Sequence, residues 1–222
     1  MDKQQGFFDK FLIYLITEGE TTPQNFPEKS EQILNLVRIA AENKISLIQI
    51  REKQLPARLV FKLVSKAVKI TQNTKTKILV NDRADVAHAA NANGVHLTSA
   101  SLSARTIRQN FPREFIIGVS THTIEKAETA KREGADFITF SPIFTTPGKS
   151  PPKGLDALRE VCEKLKSFPV VALGGINETN FKSVLDAGAN GFAAIRFLND
   201  SENLPKIMFN LTQRWNDAKE NK

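Results

Sequence analysis

Eight short apolar runs, each ending in polar or glycine residues and each followed by a helical pattern, constrain this chain more than any other feature. The runs lie at 11–17, 46–51, 77–81, 94–97, 115–120, 136–141, 169–174 and 191–196. Helical spacing of apolar residues fills the gaps at 30–43, 57–71, 103–110, 123–133, 155–167, 179–187 and 203–216. Ile78-Leu79-Val80 and Val170-Val171-Ala172-Leu173 are apolar without alternation. Strands covered on both faces read this way, as in parallel sheets. Gly134-Ala135 and Gly188-Ala189 each close a helix and open the next strand, since glycine tolerates the positive φ of a helix stop.

This pattern predicts an α/β chain folded as a single (β/α)8 TIM barrel. The predicted barrel spans 11–216, after an N-terminal leader at 1–10 and before a frayed tail at 217–222. An open doubly wound sheet would want a phosphate-binding glycine motif after its first strand. The first loop, Glu18-Gly19-Glu20-Thr21-Thr22-Pro23, has none and is acidic.

A length of 222 residues suits one domain with a full core. A net charge of +7 fits lysines spread over solvated helix faces better than a nucleic-acid stripe, and it suits a phosphorylated substrate. The one cysteine, Cys162, lies in a helical pattern and cannot form an internal disulfide. It reads as a packing residue. No apolar run reaches the roughly 18 residues that span a bilayer. The N-terminal stretch is broken by Asp9-Lys10 and lacks a signal-peptide cleavage site. The expected setting is cytoplasmic, with no membrane or nucleic-acid partner, and the sequence is compatible with a homo-oligomer.

In a parallel barrel all strand C-termini open on one face, where active sites are built. The second run delivers Gln49, Arg51 and Lys53 there, and the third Asn81-Asp82-Arg83. Arg51 inside a barrel mouth is costly unless it meets an anion or pairs with Glu52 or Asp82. Asp82 could cap the next helix or serve as a hard oxygen ligand for Mg2+. The fifth run delivers Ser120 and His122. His122 has the chemistry of an acid or base, yet a helix-capping histidine is equally compatible. His96, between Val95 and Leu97, reads as a satisfied barrel histidine, and His88 as structural. The sixth run continues into Phe144-Thr145-Thr146-Pro147-Gly148-Lys149, a small-residue loop with one lysine. The seventh ends in Gly174-Gly175 and the eighth in Ile195-Arg196, the two loops that bind phosphate in such barrels.

Several stretches together resemble the thiamine phosphate synthase and thiazole tautomerase superfamily. They are Gln49-Ile50-Arg51-Glu52-Lys53, Val80-Asn81-Asp82-Arg83-Ala84-Asp85-Val86-Ala87, Gly94-Val95-His96-Leu97, Ile117-Gly118-Val119-Ser120-Thr121-His122, Ser141-Pro142-Ile143-Phe144, Ala172-Leu173-Gly174-Gly175-Ile176 and Ala187-Gly188-Ala189. They run in order over about 11–200.

The resemblance implies a transferase of thiamine biosynthesis. It would couple hydroxymethylpyrimidine diphosphate to thiazole phosphate, releasing diphosphate with Mg2+ as cofactor. On that basis Arg51, Lys53, Asn81 and Lys149 would hold the diphosphate, and Asp82 the Mg2+. Gln49 and Ser120 would lie by the pyrimidine. Thr146, Gly175, Ile195 and Arg196 would hold the thiazole phosphate, with Lys149, Ser120 and His122 as the catalytic groups. Three positions depart from the synthase pattern. Ser101 stands where a second acidic metal ligand is usual, Gly148 where a threonine is usual, and Arg196 where a serine is usual. The serine-rich stretch 98–103 resembles the metal-independent tautomerase branch, in which His122 would shuttle the proton. A non-catalytic barrel binding thiazole or thiamine phosphate for regulation is the remaining alternative.

Overall fold

The computed structural model describes residues 5–8 and 11–220, with the side chains of 216–220 outside the description. Eight parallel strands close into a barrel in sequence order: β1 (Leu12–Ile16), β2 (Leu47–Ile50), β3 (Lys77–Asn81), β4 (Gly94–Leu97), β5 (Ile116–Thr121), β6 (Phe137–Phe140), β7 (Val170–Leu173) and β8 (Gly191–Ala194). β8 returns to β1 through the pairs Leu12↔Gly191 and Tyr14↔Ala193, so no edge is left open. The single-barrel expectation holds.

The helices are α1 (Gln5–Phe8), α2 (Phe26–Glu42), α3 (Ala57–Thr71), α4 (Ala84–Ala89), α5 (Ala104–Asn110), α6 (Ile124–Arg132), α7 (Gly154–Leu165), α8 (Phe181–Asp186) and α9 (Leu204–Glu220). α2 begins a turn earlier than the apolar spacing predicts, because Pro27 at its start supplies a helical φ without needing a hydrogen bond. α5 and α6 are capped by the hydroxyls of Ser103 and Thr123, which accept from the Thr106 and Lys126 amides. α9 runs past residue 216 to Glu220, while 221–222 lie outside the described residues. Of the expected leader, 1–4 and 9–10 also lie outside them.

Two apolar layers follow from period-two alternation. Residues pointing out of the barrel, such as Ile13, Ile48, Val80 and Ile138, pack under the helices. Residues pointing in, such as Leu12, Tyr14, Leu47, Leu79, Ile116, Phe137 and Val171, form a second cluster inside the barrel. Phe8 of α1 joins this inner cluster, 4% exposed and 5.5 Å from the Phe137 ring centroid. The described part of the leader therefore plugs the N-terminal end of the barrel.

Along several strands the inward series turns from apolar to polar toward the C-terminal end: Leu47 then Gln49, Leu79 then Asn81, Ile116 then Gly118 and Ser120, Phe137 then Thr139. This gradient gives the barrel a dry floor and a polar mouth. Among the described residues no helix is long and apolar enough to cross a membrane.

Candidate active site

The polar mouth is wired through hydrogen bonds between neighbouring strands. Gln49 Nε2 donates to Asn81 Oδ1 at 3.2 Å, and Asn81 Nδ2 donates to Asp82 Oδ2 at 2.6 Å. Asp82 follows β3 with φ 60°, a left-handed turn that Asp tolerates. Its Oδ1 accepts from the Thr98 hydroxyl at 2.8 Å, from the Thr98 amide at 3.3 Å and from the Ser101 hydroxyl. Burial pushes the Asp82 pKa up. The donors Ser101, Thr98 and Asn81 outweigh that and hold it below the usual carboxylate value. Asp82 is thus an anion fixed by neutral donors. The capping position of α4 falls to Arg83 instead, without a side-chain cap.

Arg51 leaves the end of β2 half-buried. Its amide is held by Thr17 Oγ1 at 2.8 Å and its Nη1 by the Glu18 carbonyl at 3.4 Å. Its neighbour Glu52 is buried, accepting from the Thr17 hydroxyl at 2.6 Å and the Thr21 amide at 3.0 Å. The internal ion pair weighed for Arg51 is therefore absent among the described residues. Lys53, Lys149 and Arg196 are exposed on the mouth loops. None of these four cations pairs with a carboxylate among the described residues. Four unneutralised cations on one rim make a site for a polyanion.

Loops after β6 and β7 lock together. The Ile143 and Phe144 amides donate to the carbonyls of Leu173 and Gly174 at 2.9 and 3.0 Å. Gly175 has φ 66°, and a Cβ there would lie 2.8 Å from the Thr145 carbonyl oxygen. Only glycine fits. Thr146 Oγ1 donates to Phe144 O at 3.0 Å, and the Lys149 amide to Thr146 O at 3.1 Å, which shapes the loop that carries Lys149. α8 starts at Phe181, later than the sequence predicts, because Asn177 and Asn180 first close a turn. The Gly174–Gly175 stretch therefore offers loop amides to an anion, apart from the helix end. β8 stops at Ala194, and Ile195 opens a 3-10 turn at Arg196–Leu198, whose bend is held by Asn199 Nδ2 on Ile195 O at 2.7 Å.

Two histidines differ in kind. His96 is buried with both ring nitrogens engaged, Nδ1 to Tyr14 Oη at 3.1 Å and Nε2 to Ser120 Oγ at 2.9 Å. Burial lowers its pKa to about 4, so it is neutral. His122 is exposed, and its Nδ1 lies 2.8 Å from Ser141 O. A carbonyl only accepts, so Nδ1 carries the proton and Nε2 is left as an acceptor facing solvent. Away from the mouth, His88 packs edge-on against Phe111. Burial pushes the Cys162 thiol to about 12, which suits packing.

Tyr14 was missed by the sequence reading, since it lies inside an apolar run, and Thr98 was placed at the mouth without a role. Only their neighbours across the sheet give them a role.

A family model for thiamine monophosphate synthase matches residues 13–198. The chain belongs to that family. It is 36% identical over 206 residues to a thiamine-phosphate synthase of Methanocella arvoryzae, covering 91% of this chain and 93% of that one. A thiamine-phosphate synthase of Clostridium botulinum is 32% identical over 202 residues, covering 90% and 95%. The solved thiamine phosphate pyrophosphorylase of Pyrococcus furiosus superposes with a TM-score of 0.78 at 30% identity, covering 93% of this chain and 96% of that one. Family membership accounts for the shared barrel.

Proposed function

We propose that this chain joins hydroxymethylpyrimidine diphosphate to thiazole phosphate. The bond from the pyrimidine methylene to the diphosphate oxygen breaks, and its electron pair leaves with diphosphate. The thiazole nitrogen lone pair then forms the new carbon–nitrogen bond. Neither step moves a proton, so catalysis rests on positioning and charge neutralisation. The observation that carries this reading is the set of four cations on the mouth loops, none paired with a carboxylate among the described residues, on the barrel end that also holds the Gln49–Asn81–Asp82 hydrogen bonds. Arg51, Lys53, Asn81 and Lys149 take the diphosphate, Gln49 and Ser120 the pyrimidine, and Thr146, Gly175, Ile195 and Arg196 the thiazole phosphate.

The donor chemistry at Asp82 fits one Mg2+ held jointly with substrate. The mouth supplies one firm carboxylate plus the Ser101 hydroxyl, and no cluster of three His, Cys, Asp or Glu side chains suited to a metal occurs among the described residues. Mg2+ is commonly held by one or two carboxylates, with phosphate oxygens and water completing its shell. When bound, it would neutralise charge on the departing diphosphate.

A second reading, a thiazole tautomerase, is favoured by the free Nε2 of His122. Assays with both synthase substrates, with and without Mg2+, beside a tautomerisation assay, separate the two. Thiamine phosphate formed only with both substrates and Mg2+ is the expected result. Tautomerisation abolished by His122→Ala, with no coupling product from the unmutated chain, would overturn the synthase reading.

A further inference from the structure

We infer that Tyr14 fixes which nitrogen of His96 carries its proton, and thereby makes Ser120 a hydrogen-bond donor toward the barrel mouth. The inference deepens the pyrimidine site proposed above and rests on that reading for the identity of the ligand.

Tyr14 is fully buried, and among the described residues the one polar partner of its hydroxyl is His96 Nδ1 at 3.1 Å. Among the described residues His96 forms no ion pair: it is buried and both ring nitrogens meet neutral hydroxyls, so the imidazole carries one proton. Two arrangements satisfy the distances. If Nδ1 carries the proton, it donates to Tyr14 Oη, and the phenol's own proton is left without an acceptor among Leu12, Phe137 and their apolar neighbours. A buried donor without a partner costs about 1–3 kcal/mol. If Tyr14 instead donates to Nδ1, the His96 proton sits on Nε2 and donates to Ser120 Oγ at 2.9 Å. The Tyr14 and His96 protons then both have an acceptor, and this second arrangement is the one the geometry selects.

Its consequence falls on Ser120. The Oγ lone pair is taken by His96, and the hydroxyl proton is free. Thr139, the register partner of Ser120 on β6, does not receive it, because Thr139 Oγ1 has no hydrogen-bond partner among the described residues. Ser120 is half-buried at the mouth, so its proton is available to a ligand. The site therefore selects a ring that presents a nitrogen lone pair to Ser120, and disfavours one that presents an N–H.

The rings cannot easily adopt another arrangement. Phe137 meets Tyr14 edge-on at 5.7 Å between centroids and lies 5.8 Å from the His96 ring. A Cβ at Gly118 would sit 2.7 Å from His96 Nδ1, so the missing side chain there leaves room for the imidazole. Tyr14 acts here as a positioning residue, through His96.

Nitrogen-15 NMR of histidine in the free, unmutated protein reads the tautomer directly. The expected result is a proton on Nε2 and none on Nδ1 of His96. In Tyr14→Phe the phenol proton that keeps Nδ1 an acceptor is gone, so the share of Nδ1-protonated His96 should rise above that of the unmutated protein, and in that form Ser120 turns its proton onto Nε2; an unchanged tautomer ratio overturns the inference. The KM for the pyrimidine diphosphate should then rise roughly tenfold, the value of one lost hydrogen bond, while the KM for thiazole phosphate stays unchanged. A proton on Nδ1 in the unmutated protein overturns the inference. So does a tautomer shift in Tyr14→Phe without a change in the pyrimidine KM. The tautomer is read without substrate and without the variant, so absence of turnover would sink the proposed reaction while leaving the hydrogen-bond polarity decided on its own.

Discussion

Asp82 carries two roles that pull on one carboxylate. Its pKa is lowered in the fold, so its contribution to stability is fully present above the ordinary carboxylate value and is lost as pH falls through the folded value. Asp82→Asn should flatten the acid limb of a melting-temperature curve, below about pH 4. The same variant should cut coupling turnover at least a hundredfold by removing the carboxylate proposed to hold Mg2+, as steady-state kinetics would show. Ser101→Asp adds a second carboxylate beside it and should raise Mg2+ affinity in the presence of diphosphate about tenfold, measured by titration calorimetry. No gain would mean that Mg2+ is not held at Asp82. The unpaired, fully buried Thr139 hydroxyl predicts the opposite kind of effect. Thr139→Val should stabilise the fold by about 1 kcal/mol in chemical denaturation, because it removes a desolvated donor without changing shape. Residue types at strand ends could be named from sequence because strand direction fixes the mouth. Asn81 and Ser101 were placed near Asp82, the latter through the resemblance, but the Thr98 bonds were not, because they reach it from another strand's loop.

At the scale of elements, short segments set the shape of the mouth and the floor. α1 has four residues and no helix stability of its own, yet Phe8 closes the inner core. Phe8→Ala should cost about 2 kcal/mol in denaturant unfolding while leaving the KM for both substrates unchanged. Sequence reading took this segment for a leader, since four residues carry no periodic signal. The loop after β7 is the converse case. Gly174-Gly175 is visible in the sequence, but the lock between the β6 and β7 loops is long-range and is not. Gly175→Ala forces a Cβ against the Thr145 carbonyl at a positive φ, so the loop must shift. The expected result is a KM for thiazole phosphate raised at least tenfold, with the pyrimidine KM nearly unchanged.

For the molecule as a whole, the barrel separates stability at its N-terminal end from chemistry at its C-terminal end. Arg108 on α5 illustrates the stability end. It bonds Asp136 at 2.7 Å and the carbonyls of Gly134, Arg113 and Phe115, tying the turns at the foot of β5 and β6 together. Arg108→Ala should lower the melting temperature by several degrees and leave turnover per folded molecule unchanged, since it removes the cation facing the part-buried Asp136 and the donor shared by three loop carbonyls. The sequence by itself determined the eight-fold alternation, the parallel barrel and the list of polar groups bound for one face. Those follow from periodicity and from strand direction, which are local properties of the chain. The tertiary structure decided which of those groups are partnered. It left Arg51, Lys53, Lys149 and Arg196 without a carboxylate partner among the described residues, tied Asp82 to Ser101 and Thr98, and joined Tyr14 to Ser120 through His96. Hydrogen bonds between strands depend on register and barrel closure, and these are fixed only when all eight strands meet.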